Sequence, residues 1–144
     1  MNNPTAPNPN MSGEGYLVVR VSTANGAIPL SGAFVTVRGG EEENSDYYRS
    51  FYSGASGLTE KIALPAPPRA LTENPSGNGI KPFSLYSIDV FYGGYQDLFF
   101  VNVPIFDTIT AIQPANMIPK PENEYTDSFA PYESVLVEGE NPDL

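Results

Sequence analysis

The sequence predicts an all-β sandwich of seven short strands. Three observations carry that reading. Apolar and polar residues alternate with period two in segment after segment. Gly- and Pro-rich turns separate those segments at short intervals. No stretch keeps a 3.6-residue apolar period over three turns, and the even strand spacing rules out βαβ units, which need helical crossovers.

Residues 1–14 are rich in Asn, Pro and Gly and read as a flexible arm. The first strand is 15–23, GYLVVRVST, with Leu17, Val19 and Val21 on one face and Tyr16, Val18 and Arg20 on the other. Asn25-Gly26 supplies a turn, and residues 29–32 bring the chain round. The second strand alternates Ala33, Val35 and Val37 against Phe34, Thr36 and Arg38. A charged loop, GGEEENSD, leads to a third strand at 47–53, aromatic on both faces. A turn at 54–57 precedes a fourth strand at 58–64, with Leu58, Glu60, Ile62 and Leu64 sharing a face. Burying Glu60 would be costly, so it belongs near the strand's mouth. The run PAPP at 65–68 is expected to stop that strand, because proline donates nothing to a ladder.

A long irregular loop spans 69–83. The fifth strand, 84–92, sets Tyr86, Ile88, Val90 and Tyr92 against Leu85, Ser87, Asp89 and Phe91. Gly93-Gly94 turns the chain into a sixth strand at 98–106, with an edge or bulge position at Pro104. Residues 108–113 form the seventh. The domain organisation is thus an arm at 1–14, a sandwich at 15–119 and an acidic tail at 120–144. Within the tail, residues 134–137 (Ser-Val-Leu-Val) read as one added strand for an exposed edge, the chain's own or a partner's.

The formal charge of −10 is uneven. Residues 121–144 hold seven acids and no base, whereas residues 1–120 hold ten acids and seven bases. The bases are scattered singly, which argues against nucleic acid and against an anionic membrane surface. No run of 18 apolar residues is present, so no membrane insertion is expected. The start, MNNPTAPNPNMSG, has neither the basic nor the apolar region of a secretory signal. The compartment stays open among the cytoplasm, an unusual export route and a cut precursor.

The chain has no histidine and no cysteine. Ser-His-Asp and Cys-His nucleophilic sites in their usual form are therefore excluded, as are thiolate or imidazole zinc sites and disulfides. Asp89, Asp97 and Asp107 are the acids nearest predicted strands, and turn or solvent roles suit them better than paired acid–base chemistry. No enzyme activity and no cofactor are expected. Glu41, Glu42, Glu43 and Asp46 offer hard oxygen ligands for a weak calcium or cationic-partner site, without the spacing of an EF-hand loop. The candidate binding residues are aromatic: Tyr47, Tyr48, Phe51 and Tyr52 on the third strand, with Tyr92 and Tyr95 flanking the Gly-Gly turn. Such rings anchor protein interfaces or stack on sugars.

The run TANGAIPLSGAFVTV (23–37), with Pro29, Leu30, Ser31, Gly32 and Ala33 at its centre, resembles the start of transthyretin-like, carboxypeptidase-regulatory-like domains. Gly57, the run Ile62 to Leu64 and Pro65-Ala66-Pro67 resemble the same module's turn and closing strand. Tyr86, Ile88, Val90, Gly94 and Tyr95 resemble its later strand pair. The segment NVPIFDTITAIQPANMIP (102–119) resembles the version in clostridial spore cortex-lytic and cell-wall-associated proteins. The likeness covers residues 15–119. It implies a seven-stranded, Ig-like, prealbumin-like sandwich that acts as an accessory module, and it implies spore or cell-envelope association. The family's hydroxyisourate-hydrolysing branch depends on histidines, and none exists here to inherit that role. The functional expectation is a structural or protein-interaction module with a protein partner or self-association. The alternative is a module that binds cell-wall carbohydrate such as peptidoglycan.

Overall fold

The computed structural model describes residues 11–72, 81–121 and 134–138. Nine strands are present among them: β1 (Gly13–Thr23), β2 (Ile28–Pro29), β3 (Phe34–Gly39), β4 (Tyr48–Tyr52), β5 (Ile62–Ala66), β6 (Ser84–Phe91), β7 (Asp97–Ile105), β8 (Thr110–Asn116) and β9 (Ser134–Glu138). They form two sheets. In the first, β1 is the spine: β5 and β2 pair antiparallel along one edge, and β8 pairs parallel along the other. The second runs β4-β3-β6-β7-β9, antiparallel except for the parallel β7–β9 pair. The all-β sandwich expected from alternation is the observed architecture, with β2 and β9 added to the seven expected strands.

The alternation becomes the core. From the first sheet come Leu17, Val19, Val21, Ile62 and Leu64; from the second come Val35, Val37, Tyr86, Ile88, Val90, Leu98 and Phe100. Full burial of each aliphatic side chain stabilises by about 1.5–3 kcal/mol. Tyr86 is wholly buried yet polar at its tip. Its Oη donates to Pro65 O at 2.6 Å, tying one sheet to the other.

Strand boundaries differ from expectation at the start of the first strand, at both ends of the fourth and along the seventh, and proline placement explains how the fourth runs on. The fourth strand does not stop at residue 64. β5 runs through Pro65, which registers with Glu14. At that position β1 turns its own groups the other way: Glu14 N donates to Asp107 Oδ1 and Glu14 O accepts from Thr108 N. Pro65 therefore has no ladder bond to lose, and its carbonyl is free to accept from Tyr86. The same logic applies to Pro104 in β7. It sits in register opposite Leu85, whose N–H goes to Glu41 Oε1 and whose carbonyl accepts from Gly40 N. The β7 irregularity lies earlier. Tyr86 pairs with Val103 and Ile88 with Phe100, so β7 carries one extra residue there, and Asn102 takes φ 59°.

The fourth strand also starts late. Leu58 makes one isolated bridge to Arg20, and Thr59 places its hydroxyl where a backbone acceptor would be, receiving Val19 N at 3.0 Å. This break turns Leu58 outward and Thr59 inward, reversing the expected faces. Glu60 is exposed at the margin. The seventh strand is shifted to Thr110–Asn116 and pairs with β1 from Tyr16↔Thr110 to Ser22↔Asn116. Helical structure among the described residues includes a 3-10 turn at Glu42–Asn44 and one turn at Arg69–Thr72. The arm's residues 1–10, the loop residues 73–80 and the tail residues 122–133 and 139–144 lie outside the described residues. β1 begins at Gly13.

Candidate functional site

Strand β4 is the outermost strand of the second sheet on the side away from β9. Its alternation splits the aromatic cluster. Phe51 points inward, paired with Val35, while Tyr48 and Tyr52 stand outward, 63% and 66% exposed. Tyr47, just before β4, packs edge-on against Tyr86 at 5.7 Å between ring centroids. Its Oη reaches Ala63 O at 3.4 Å, and burial pushes its phenol above the ordinary range. Tyr92 and Tyr95 meet at a tilt, with ring centroids 5.4 Å apart, across the Gly93-Gly94 turn, where Gly94 adopts φ 86°. Both are half-buried and pack against the core. The six candidate rings thus fall into four places, and two of them, Tyr48 and Tyr52, are open to solvent.

Register extends the exposed pair into a stripe. Phe34 lies between Tyr52 on β4 and Phe91 on β6. Its ring centroid is 5.3 Å from Tyr52 and 6.3 Å from Phe91, and Phe91 is 6.0 Å from Phe99 on β7. Four rings therefore cross four strands on the outer face. Phe34, Phe91 and Phe99 were not among the expected binding residues. The signal was faint in sequence: Phe34 and Phe91 occupy outer positions of their strands, but only pairing aligns them.

Beside the stripe, Arg38 Nη2 meets both carboxylate oxygens of Asp89, at 2.9 and 3.0 Å, and Thr36 Oγ1 reaches the same carboxylate at 3.3 Å. The pair neutralises the middle of the face. Asp107 is also engaged, accepting from Glu14 N at 3.0 Å and Arg69 N at 2.7 Å. It clamps the start of β1 and the helical turn to the β7–β8 corner. Asp97 opens β7 beside β9. Asp89 and Asp107 occupy opposite ends of the β6–β7 ladder, so they do not form an acid–base pair.

The acidic loop is similarly committed. Glu41 accepts from Leu85 N and pairs with Lys81, while Asn44 is buried and bonds both Glu41 N and Leu85 O. Glu42, Glu43 and Asp46 face solvent. Among the described residues no three acids gather as a metal group. No helix among them is long and apolar enough to cross a membrane.

No protein-family model and no curated protein matches the chain. Solved structures are similar to it. The TIE protein of Bacillus anthracis aligns with a TM-score of 0.50 and 14% identity, covering 74% of this chain and 17% of its own. Catechol 1,2-dioxygenase from Acinetobacter sp. ADP1 aligns with a TM-score of 0.54 and 12% identity, covering 95% of this chain and 61% of its own. The minor pilin GBS52 of Streptococcus agalactiae gives 0.48 and 14%, covering 78% of this chain and 47% of its own. The chain spans less than two thirds of each of these proteins. At such identities the first two likenesses speak to the sandwich fold alone.

Proposed function

We propose that the chain is a non-catalytic structural or protein-interaction module of a bacterial surface, spore or phage-like assembly. The observation that carries this reading is the aromatic stripe Tyr52–Phe34–Phe91–Phe99, which lies on a solvent-facing sheet surface. Rings of this kind supply large contact area at low entropic cost, as interface anchors do. The likeness of residues 102–119 to spore cortex-lytic proteins supports the setting. The chemistry of the chain supports the non-catalytic part: it has no histidine or cysteine, and Asp89 and Asp107 are each held by other groups.

Light scattering of the full chain over a concentration series tests the reading. Self-association that weakens in Tyr52→Ser and Phe34→Ser is the expected result. A chain that stays monomeric and is instead retained by cell-wall sacculi, with retention lost in Tyr48→Ala and Tyr52→Ala, replaces this reading with the carbohydrate-binding one. Hydrolysis of a sugar or peptide substrate, abolished by Asp89→Asn, overturns the non-catalytic part.

A further inference from the structure

The two ends of the second sheet differ. The β4 end carries no further strand among the described residues, whereas β7 is covered by β9, a strand from far along the chain. Five positions pair in parallel, from Asp97↔Ser134 to Val101↔Glu138. Parallel neighbours cannot be joined by a hairpin, so β9 must arrive on a long connection.

The ends of that connection are located. The chain is pinned up to Lys120, whose N–H donates to Gly94 O at 2.9 Å, and Pro119 bridges Tyr95. β9 then begins opposite Asp97, only three residues beyond Gly94. Three strand residues span about 10 Å. The twelve residues 122–133 can span about 40 Å when extended. The tether is several times longer than its own edge requires. A short tether would hold β9 to its own β7. This one also allows the strand to reach the β7 of a neighbour.

We propose that the β7 edge, residues 97–101, is a strand-acceptor site that takes the 134–138 segment of a second copy of this chain as well as its own. The inference rests on the interaction-module reading above and names the partner. The same register pairs form in either arrangement, so the backbone bonds gained are equal. The choice is set by concentration: a tether holds its own strand at an effective concentration that falls as its length exceeds the span it must cover. Exchange is therefore expected where copies crowd together, as in an array, and reciprocal exchange of one element is a low-cost route to a dimer.

Because the chain has no cysteine, the exchange can be read by disulfide formation. Registered positions on neighbouring strands lie about 4.8 Å apart, within the range that a disulfide bridges. An Asp97→Cys chain is mixed with a Ser134→Cys chain, oxidised over a concentration series and analysed by non-reducing mass. Covalent heterodimer several-fold above the homodimer of either chain alone, and rising with concentration, is the expected result. Adding Val135→Pro and Leu136→Pro to the Ser134→Cys chain should remove it. The Asp97→Cys/Ser134→Cys double variant should give covalent dimer in a share that grows with concentration. Closure of that double variant within single chains at every concentration, with no excess heterodimer in the mixture, overturns the inference. So does a heterodimer that survives the two prolines, because collision rather than pairing would explain it. Loss of association in the aromatic-stripe variants with the crosslink intact separates a failure of the stripe reading from a failure of this one.

Discussion

On the inner face of the second sheet, Val35, Val37, Phe51, Ile88 and Val90 are sealed by the first sheet. On its outer face, Tyr52, Phe34, Phe91 and Phe99 form a row of comparable hydrophobicity with nothing described above it. The residues are of one chemical class and sit on the same strands. Coverage separates them. Inner side chains lose all their water on folding and leave a cavity when truncated. Outer rings touch their cross-strand neighbours and keep one side wet, so they add little to stability and remain available for contact.

This contrast orders the expected effects of substitution. Ile88→Ala, wholly inside, should lower unfolding free energy by about 2–5 kcal/mol in denaturant titration. Gly39→Ala tests the rim between the faces. A Cβ there would come within 1.8 Å of Asn44 O, so the loop that closes over β6 must shift, at about 1–3 kcal/mol. Its signature would be an unfolding midpoint that falls without loss of the β-sheet circular dichroism signal.

Tyr86→Phe removes only the inner hydroxyl and its bond to Pro65 O, and should cost about 1 kcal/mol near neutrality. Burial drives the Tyr86 phenol well above its ordinary value of 10.0. Its contribution is thus fully present below pH 10 and is lost as pH rises above that, where the unfolded chain ionises and the folded one resists. Stability against pH should fall on the alkaline side in the native chain and fall less steeply in Tyr86→Phe. Tyr52→Ala, on the outer face, should cost about 0.2–1 kcal/mol while reducing association. If Tyr52→Ala proves as destabilising as Ile88→Ala, the distinction between the two faces collapses.

Much of the fold was legible because alternation is a local property. The alternating positions of β1, β3 and β6 follow directly from GYLVVRVST, AFVTVR and SLYSIDVF. The strand limits at Pro65 and Pro114 were not legible. Proline blocks a ladder only where its nitrogen faces a partner, and that depends on register rather than composition. Thr59 was misplaced for a related reason: its hydroxyl stands in for a backbone acceptor and breaks the period. Of the candidate site, Tyr48 and Tyr52 were found by their crowding on one strand. Phe34, Phe91 and Phe99 were not, since they come from three strands far apart in sequence.

By itself the sequence determined which residues alternate, where turns fall, that histidine and cysteine chemistry is absent and that the acids concentrate in the tail. These are properties of composition and of neighbours along the chain. Only the tertiary structure decided which aromatic face became core, which prolines could sit inside strands and which edge receives residues 134–138. A strand's period of two is the same whichever face is buried, so the choice belongs to the sheet packed against it. Pairing between distant segments then sets the register that turns isolated rings into a surface.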